Sequence, residues 1–162
     1  MLLVFLGSWS AQAIAGHVPL AIGSDSHVTR DWREELRWLD YGQRLALRER
    51  NVSAAPQANQ PSTAERLFGL AVRGGAAAAG QSAWGLVAGA RADAQLADGQ
   101  DPALLGLPAA RWLDALVFSS PGRPWRDVMV AGRWVIRERR HTRDAAIARD
   151  FARARAQLWD SD

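Results

Sequence analysis

The stretch Gly23-Ser24-Asp25-Ser26-His27-Val28 decides how the rest of the 162-residue chain is interpreted. It follows the short apolar run 18–22 and precedes a segment with a strongly helical pattern. A short, continuous apolar run is typical of a strand that is buried on both faces. A strand that ends in a polar turn and leads into a helix forms a β/α unit, and ligands bind at this edge of such units. The stretch is therefore the first candidate for a functional site.

The composition is that of a globular protein: 48% of the residues are apolar and 23% are charged. There is no cysteine, which excludes a disulfide scaffold, thiolate metal sites and a cysteine nucleophile. The plain prediction is a reducing, cytoplasmic location. The alternative is secretion, because residues 1–6 and Ala11-Gln12-Ala13 have the outline of a signal peptide, although the positive n-region is missing.

The charge pattern predicts neither a nucleic-acid nor a membrane partner. All 20 basic residues are Arg, and the net charge is only +3. The densest basic patch, 137–143, lacks interleaved aromatic residues and is interpreted as a solvated surface. No stretch approaches the roughly 20 apolar residues that a membrane-spanning helix needs.

Capping signatures and periodicity predict the remaining elements. Asp31 with Glu34, and Ser62 with Glu65, resemble capping boxes that open two helices, the first ending near Glu49 and the second before Gly80. Further predicted elements are a weak strand within 92–97, a short helix at 109–118, a hairpin of 128–130 with 134–136, and a C-terminal amphipathic helix at 143–159 that caps the structure. The predicted domains are a barrel remnant at 1–80, a partial small β domain at 81–142 and the C-terminal helix at 143–162.

Asp25 is the strongest candidate for chemistry. A carboxylate at the end of a strand can coordinate a divalent cation and accept a proton from bound water. The alternative is that Asp25 caps the following helix through backbone donors. His27 is either a second ligand or general base, or a hydrogen-bonded structural residue.

The quoted stretch belongs to a longer resemblance. Together with the block Glu34-Glu35-Leu36-Arg37-Trp38-Leu39, it resembles the strand-8 region of formimidoylglutamate deiminase, in the amidohydrolase superfamily. Later segments agree in order: Gly74-Gly75-Ala76, Gly89-Ala90-Arg91-Ala92-Asp93 and Arg126-Asp127-Val128-Met129-Val130-Ala131-Gly132-Arg133. The resemblance covers nearly the whole chain from about Gly16, and the Glu-Glu-Leu-Arg-Trp-Leu block is its most specific part.

The resemblance implies an α/β fold, namely the last β/α unit of a TIM-type amidohydrolase barrel, part of a small β domain and a C-terminal helix. It also implies a mononuclear metal, usually zinc, with Asp25 in the metal region handling the proton of the hydrolytic water. The implied reaction hydrolyses N-formimino-L-glutamate to N-formyl-L-glutamate and ammonia in histidine degradation. The implied partner is therefore the small-molecule substrate formiminoglutamate.

The chain departs from the family in length. A complete barrel takes about 250 residues, and the His-x-His pair and later His ligands of the family would lie before Met1. One Asp cannot hold zinc where about three protein ligands are needed, so we expect the chain alone to bind none and to be inactive. It is either a C-terminal fragment of the enzyme or a non-catalytic module that associates with a complementary barrel. Self-association through an exposed barrel edge is also expected.

Overall fold

The computed structural model describes residues 14, 18–25 and 28–159. Within these residues, three α-helices and a small antiparallel sheet are followed by a fourth helix. The helices are α1 (Trp32–Leu47), α2 (Thr63–Ala78), α3 (Trp112–Phe118) and α4 (Asp144–Trp159); the strands are β1 (Ala94–Ala97), β2 (Trp125–Val130), β3 (Arg133–Arg137) and β4 (Arg140–His141). Two 3₁₀ turns occupy Pro56–Ala58 and Ala109–Arg111.

Both predicted capping residues begin helices. The Asp31 side chain accepts a hydrogen bond from the Arg33 amide, and the Ser62 hydroxyl accepts one from the Glu65 amide. Each bond satisfies one of the backbone donors that have no partner within the first helical turn. The first helix ends at Leu47, where Arg48 adopts a left-handed conformation, two residues before the predicted end. The second ends at Ala78, and Gly80 follows at a positive φ of 67°.

The main core forms where α1, α2 and α3 pack together. Its buried members include Leu36 and Leu39 of α1, Leu67 of α2 and Val117 of α3. Burying a leucine side chain contributes about 2 kcal/mol, so the apolar stripes of these short helices account for their packing. Leu47, the last residue of α1, lies outside this core and is 38% exposed.

The sheet has the order β1-β2-β3-β4, with antiparallel neighbours throughout. The predicted hairpin is present, and its two-residue turn, Ala131-Gly132, has positive φ at both positions, as a type I′ turn requires. The predicted weak strand forms as β1, at the edge of the sheet. Asp127 of β2 accepts hydrogen bonds from the Glu138 amide and the Arg126 side chain, both at 2.8 Å, and so holds the β3–β4 turn.

The strand predicted at 18–22 is absent, and this prediction is wrong for the chain as it stands. No strand includes these residues, and Val18 is 48% exposed. A strand needs a hydrogen-bonded neighbour, and none of the described residues pairs with this segment. Pro19 removes one donor as well.

The segment nevertheless packs on α2 at one glycine. A Cβ built on Gly74 would overlap the backbone carbonyl of Leu20, whereas one on Gly75 would meet nothing within 4 Å. Close packing at this pair of glycines therefore depends on Gly74 and not on Gly75. The absence of a side chain at position 74 lets the two backbones touch.

The C-terminal helix forms as predicted but does not cap the structure. No residue of α4 is buried, and Phe151 and Leu158 are 62% and 72% exposed. The periodicity of the sequence identifies the apolar face correctly. It does not identify what that face contacts, because the surface that would cover it is not among the described residues.

Candidate functional site

Asp25 lies on a turn between the segment 18–24 and α1. Its side chain is exposed, and its φ of 42° is in the left-handed region, which Asp and Asn adopt more readily than most residues. Residues 26 and 27 are outside the described part of the chain, so both interpretations of His27 remain predictions. Asp25 is therefore a carboxylate presented on an exposed turn ahead of α1.

The alternative role of Asp25 as a helix cap is wrong. Asp31, six residues later, is the N-cap of α1: its Oδ1 accepts a hydrogen bond of 3.0 Å from the Arg33 amide. A capping side chain bonds to amides two or three residues on, and Asp31 occupies that place. Asp25 is thus not needed to begin the helix.

Arg33 anchors the start of α1. This side chain is only 3% exposed, and its guanidinium forms a two-pronged ion pair with Asp31. It also donates to the Gly122 carbonyl at 2.8 Å and lies 5.6 Å from the centre of the Trp125 ring. Burial by itself raises the pKa of Asp31, but the hydrogen bonds and charge of Arg33 outweigh it, so that the pKa is lowered.

Trp32 provides a second connection between α1 and the sheet. Its indole nitrogen donates to the Gln95 side chain of β1 at 3.1 Å, and its ring lies 5.8 Å from that of Trp125 in β2. Because Trp32 and Arg33 are the first two residues of the helix, the end nearest Asp25 is the end attached to the sheet. The sheet therefore fixes the start of α1, at Trp32 and Arg33.

Sequence reasoning missed four buried polar residues of α1. Hydrophobic periodicity places polar side chains on the solvent side of a helix, yet Arg33, Glu35, Asp40 and Gln43 are all at most 4% exposed. Burial raises the pKa of Asp40, partly offset by Ser53 and Arg44. Hydrophobic periodicity carries no signal for such groups, because it ranks charged residues as exposed wherever they fall.

Two cavities lie at opposite ends of α1. The larger, about 430 Å³, is lined by Tyr41, Arg44 and Arg48 with the residues that follow the helix. A 16-residue helix is about 24 Å long, so this cavity is remote from Asp25. The smaller, about 220 Å³, lies between Ile22, Trp32 and Phe68, on the Asp25 side, and its lining is almost entirely apolar.

The described residues do not fit a zinc site by themselves. Within 14, 18–25 and 28–159 there is no group of three His, Cys, Asp or Glu side chains close enough to hold a metal ion. A catalytic zinc takes about three protein ligands, and Asp25 is one carboxylate. His141, another candidate donor by type, accepts a hydrogen bond from the Arg143 amide through Nδ1.

Across the part of the chain that the structure describes, every helix is too short or too polar to cross a bilayer.

The comparisons with known proteins agree on one family. No protein-family model matches the chain. It is 45% identical over 141 residues to formimidoylglutamate deiminase of Pseudomonas aeruginosa, a match that covers 87% of this chain and 31% of that protein. A crystal structure of an amidohydrolase from Brucella melitensis superposes with a TM-score of 0.81 at 37% identity, covering 92% of this chain and 32% of that one.

The chain thus spans about a third of the length of the relatives it matches. The expected incomplete α/β fold is confirmed, since the match covers most of this chain but only part of the solved amidohydrolase. By both sequence and fold, the chain is a C-terminal portion related to formimidoylglutamate deiminase, in the amidohydrolase superfamily.

Proposed function

We propose that this chain is the part of a formimidoylglutamate deiminase that supplies Asp25 to the active site, and that it needs the remainder of such a protein for activity. One observation carries the proposal: Asp25 is exposed on the turn that precedes α1 and has no part in capping that helix. The relationship to the Pseudomonas deiminase supports the choice of reaction.

Asp25 would act as a proton acceptor in this reaction. The water oxygen forms a bond to the formimino carbon of N-formimino-L-glutamate, and the carboxylate takes a proton from that water. The carboxylate passes this proton to the terminal formimino nitrogen, and the proton of the remaining hydroxyl follows it. The bond between the carbon and that nitrogen then breaks, which releases ammonia and leaves N-formyl-L-glutamate. Zinc, the cofactor expected from the resemblance, would need ligands from outside the described residues, so no step is assigned to it.

The arrangement around α1 supports a positioning role for the sheet. Arg33 and Trp32 join the start of the helix to Gly122, Trp125 and Gln95. These contacts fix the start of α1 relative to the small sheet. Proton transfer requires heavy atoms within hydrogen-bonding distance, so a fixed helix start close to Asp25 in sequence is an advantage for the proposed role.

The test is a chimera in which this chain replaces the corresponding C-terminal portion of the Pseudomonas relative. We expect the chimera to release ammonia from formiminoglutamate and the isolated chain to release none. The matched control is the Pseudomonas protein truncated at the same junction, which we expect to be inactive. A soluble, folded chimera without activity would contradict the proposed reaction, and turnover by the isolated chain would contradict the proposed dependence on the remainder.

A second candidate is a non-catalytic module that associates with a complementary barrel. The apolar cavity beside the Asp25 turn favours it, because Phe68 and Trp84 in its lining are 36% and 38% exposed. On this hypothesis the chain binds the separately produced remainder of the Pseudomonas protein, and Phe68→Asp weakens binding in calorimetry, without ammonia release from the complex. An active complex would instead favour the first proposal.

A further inference from the structure

The exposed face of α4 has the spacing of a helix-pairing seam. Its apolar members are Ile147, Phe151, Ala154 and Leu158, at intervals of four, three and four residues. This is the alternation of a and d positions in a heptad repeat, with Phe151 and Leu158 at a. Ile147 is 50% exposed, Phe151 62% and Leu158 72%, so the seam has no cover among the described residues.

A helix of this length seldom persists in water without packing. Isolated helices of about 12–15 residues are marginal, and most helices in proteins depend on burying an amphipathic face. The 16 residues of α4 bury none of their side chains. Its first turn is held to the sheet, since the Asp144 side chain accepts a hydrogen bond from the His141 amide.

The charges beside the seam select its partner. With Phe151 at a, Asp150 occupies a g position and Arg155 the e position five residues later. In a parallel pair of helices, a g residue faces the e residue of the other helix five positions further on, so two copies would form two symmetric Asp150–Arg155 ion pairs. An antiparallel pair places g beside g and e beside e, which gives Asp150 no arginine.

Within one copy, these two side chains are engaged only at the surface. Asp150 forms an ion pair with Arg153 at 2.9 Å, and both side chains are more than 60% exposed. The Arg155 guanidinium lies 5.7 Å from the centre of the Phe151 ring. Exposed contacts of this kind contribute little to the stability of one copy. Replacing them with ion pairs between two copies therefore costs little free energy.

We propose that α4 pairs in parallel with α4 of a second copy of this chain, through the seam Ile147, Phe151, Ala154 and Leu158. The register is set by the ion pairs between Asp150 and Arg155. The small Ala154 lets the two helices approach closely between the larger layers at Phe151 and Leu158. This surface is distinct from the apolar cavity beside Asp25.

The test is the mass of the full 162-residue chain in sedimentation equilibrium at about 200 µM, because a two-heptad seam gives a weak, concentration-dependent interface. We expect twice the monomer mass of 17.7 kDa. Asp150→Arg and Arg155→Asp should each weaken the dimer about tenfold or more, since each places like charges across the seam. The double variant restores opposite charges and should restore the dimer.

Arg149→Asp is the matched control. It is a charge reversal of the same size at the outer f position, and we expect the dimer to survive it. A wild-type monomer would overturn the proposal and indicate that another part of a longer polypeptide covers α4. A dimer that resists both single reversals would also overturn it, by placing the contact elsewhere, and a double variant that fails to recover would contradict the register.

Discussion

The small sheet and the segment 18–25 differ in where their partners are in the chain. The strands of residues 94–141 pair with one another, and the hairpin at Ala131-Gly132 is closed by its own turn. The segment 18–25 has no ladder partner among the described residues and touches α2 at Gly74 instead. The sheet therefore forms from the described residues alone, whereas the segment that carries Asp25 has no strand to pair with among them.

The largest expected effect tests the junction between the start of α1 and the sheet, where Arg33 contacts Gly122 and Trp125. Asp31→Ala removes the cap of α1, worth about 1 kcal/mol. It also leaves the buried Arg33 guanidinium without its carboxylate partner. Breaking a buried ion pair in this way costs about 3 kcal/mol, and we take the lower end of the usual range because the Asp31 side chain is 33% exposed. We expect urea unfolding to show a loss of about 4 kcal/mol in the free energy of unfolding.

Ser62→Ala is the comparison for the junction: it removes the cap of α2 and the 2.6 Å hydrogen bond that the Ser62 hydroxyl donates to Asp114, but it strands no buried guanidinium. We expect a loss of about 2 kcal/mol. Equal losses in the two variants would show that Arg33 is not a significant connection between α1 and the sheet.

The next effect tests how the segment 18–25 is held. Gly74→Ala should lower the free energy of unfolding by about 2 kcal/mol, because the new methyl group must displace the Leu20 backbone. Gly75→Ala changes the same residue type one position along, where space is open, and should gain up to about 1 kcal/mol from helix propensity. Urea unfolding measures both, and a Gly74→Ala variant as stable as Gly75→Ala would show that the packing of residues 18–22 on α2 is not real.

The smallest effect concerns the sheet alone. The Glu138 amide and Arg126 lower the pKa of Asp127, so its contribution to stability is present above the pKa of an unfolded Asp, about 3.9, and is lost as the pH falls through the lower folded value. Asp127→Asn should lower the melting temperature by a few degrees at pH 7, and the difference from wild type should shrink below about pH 4.

Glu49→Gln, an exposed carboxylate beyond the end of α1, is the control for this pH dependence and should show no such change. A difference between wild type and Asp127→Asn that stays constant from pH 7 to pH 3 would contradict the proposed role of the ionised carboxylate.

The predictions from sequence succeeded where the interaction is local. The caps at Asp31 and Ser62, the hairpin at 131–132 and the α4 helix each depend on residues within a few positions, and each is present. The strand at 18–22 failed because a strand needs a partner, which a local pattern cannot reveal, and none of the described residues pairs with this segment. Buried Asp40 was missed because its burial depends on where α1 packs, which periodicity assigns only to apolar residues.

The same contrast between local and distant interactions applies to the predictions about the candidate site. The polar turn at Asp25 and the cap at Asp31 both followed from local patterns, and the structure adds that Asp25 takes no part in the cap. The catalytic role of Asp25 and the domain boundaries at residues 80 and 142 stay predictions. No group of side chains that could complete a metal site with Asp25 lies among the described residues.

The most direct test of the central claim is the turnover of the chimera with Asp25 changed. Asp25→Asn keeps the size of the side chain but cannot accept a proton from water, and general base catalysis contributes about 10²–10⁴-fold. We expect kcat for ammonia release to fall by at least about 100-fold while the melting temperature is unchanged, and Glu49→Gln to keep full activity. An Asp25→Asn chimera with wild-type kcat would contradict the account.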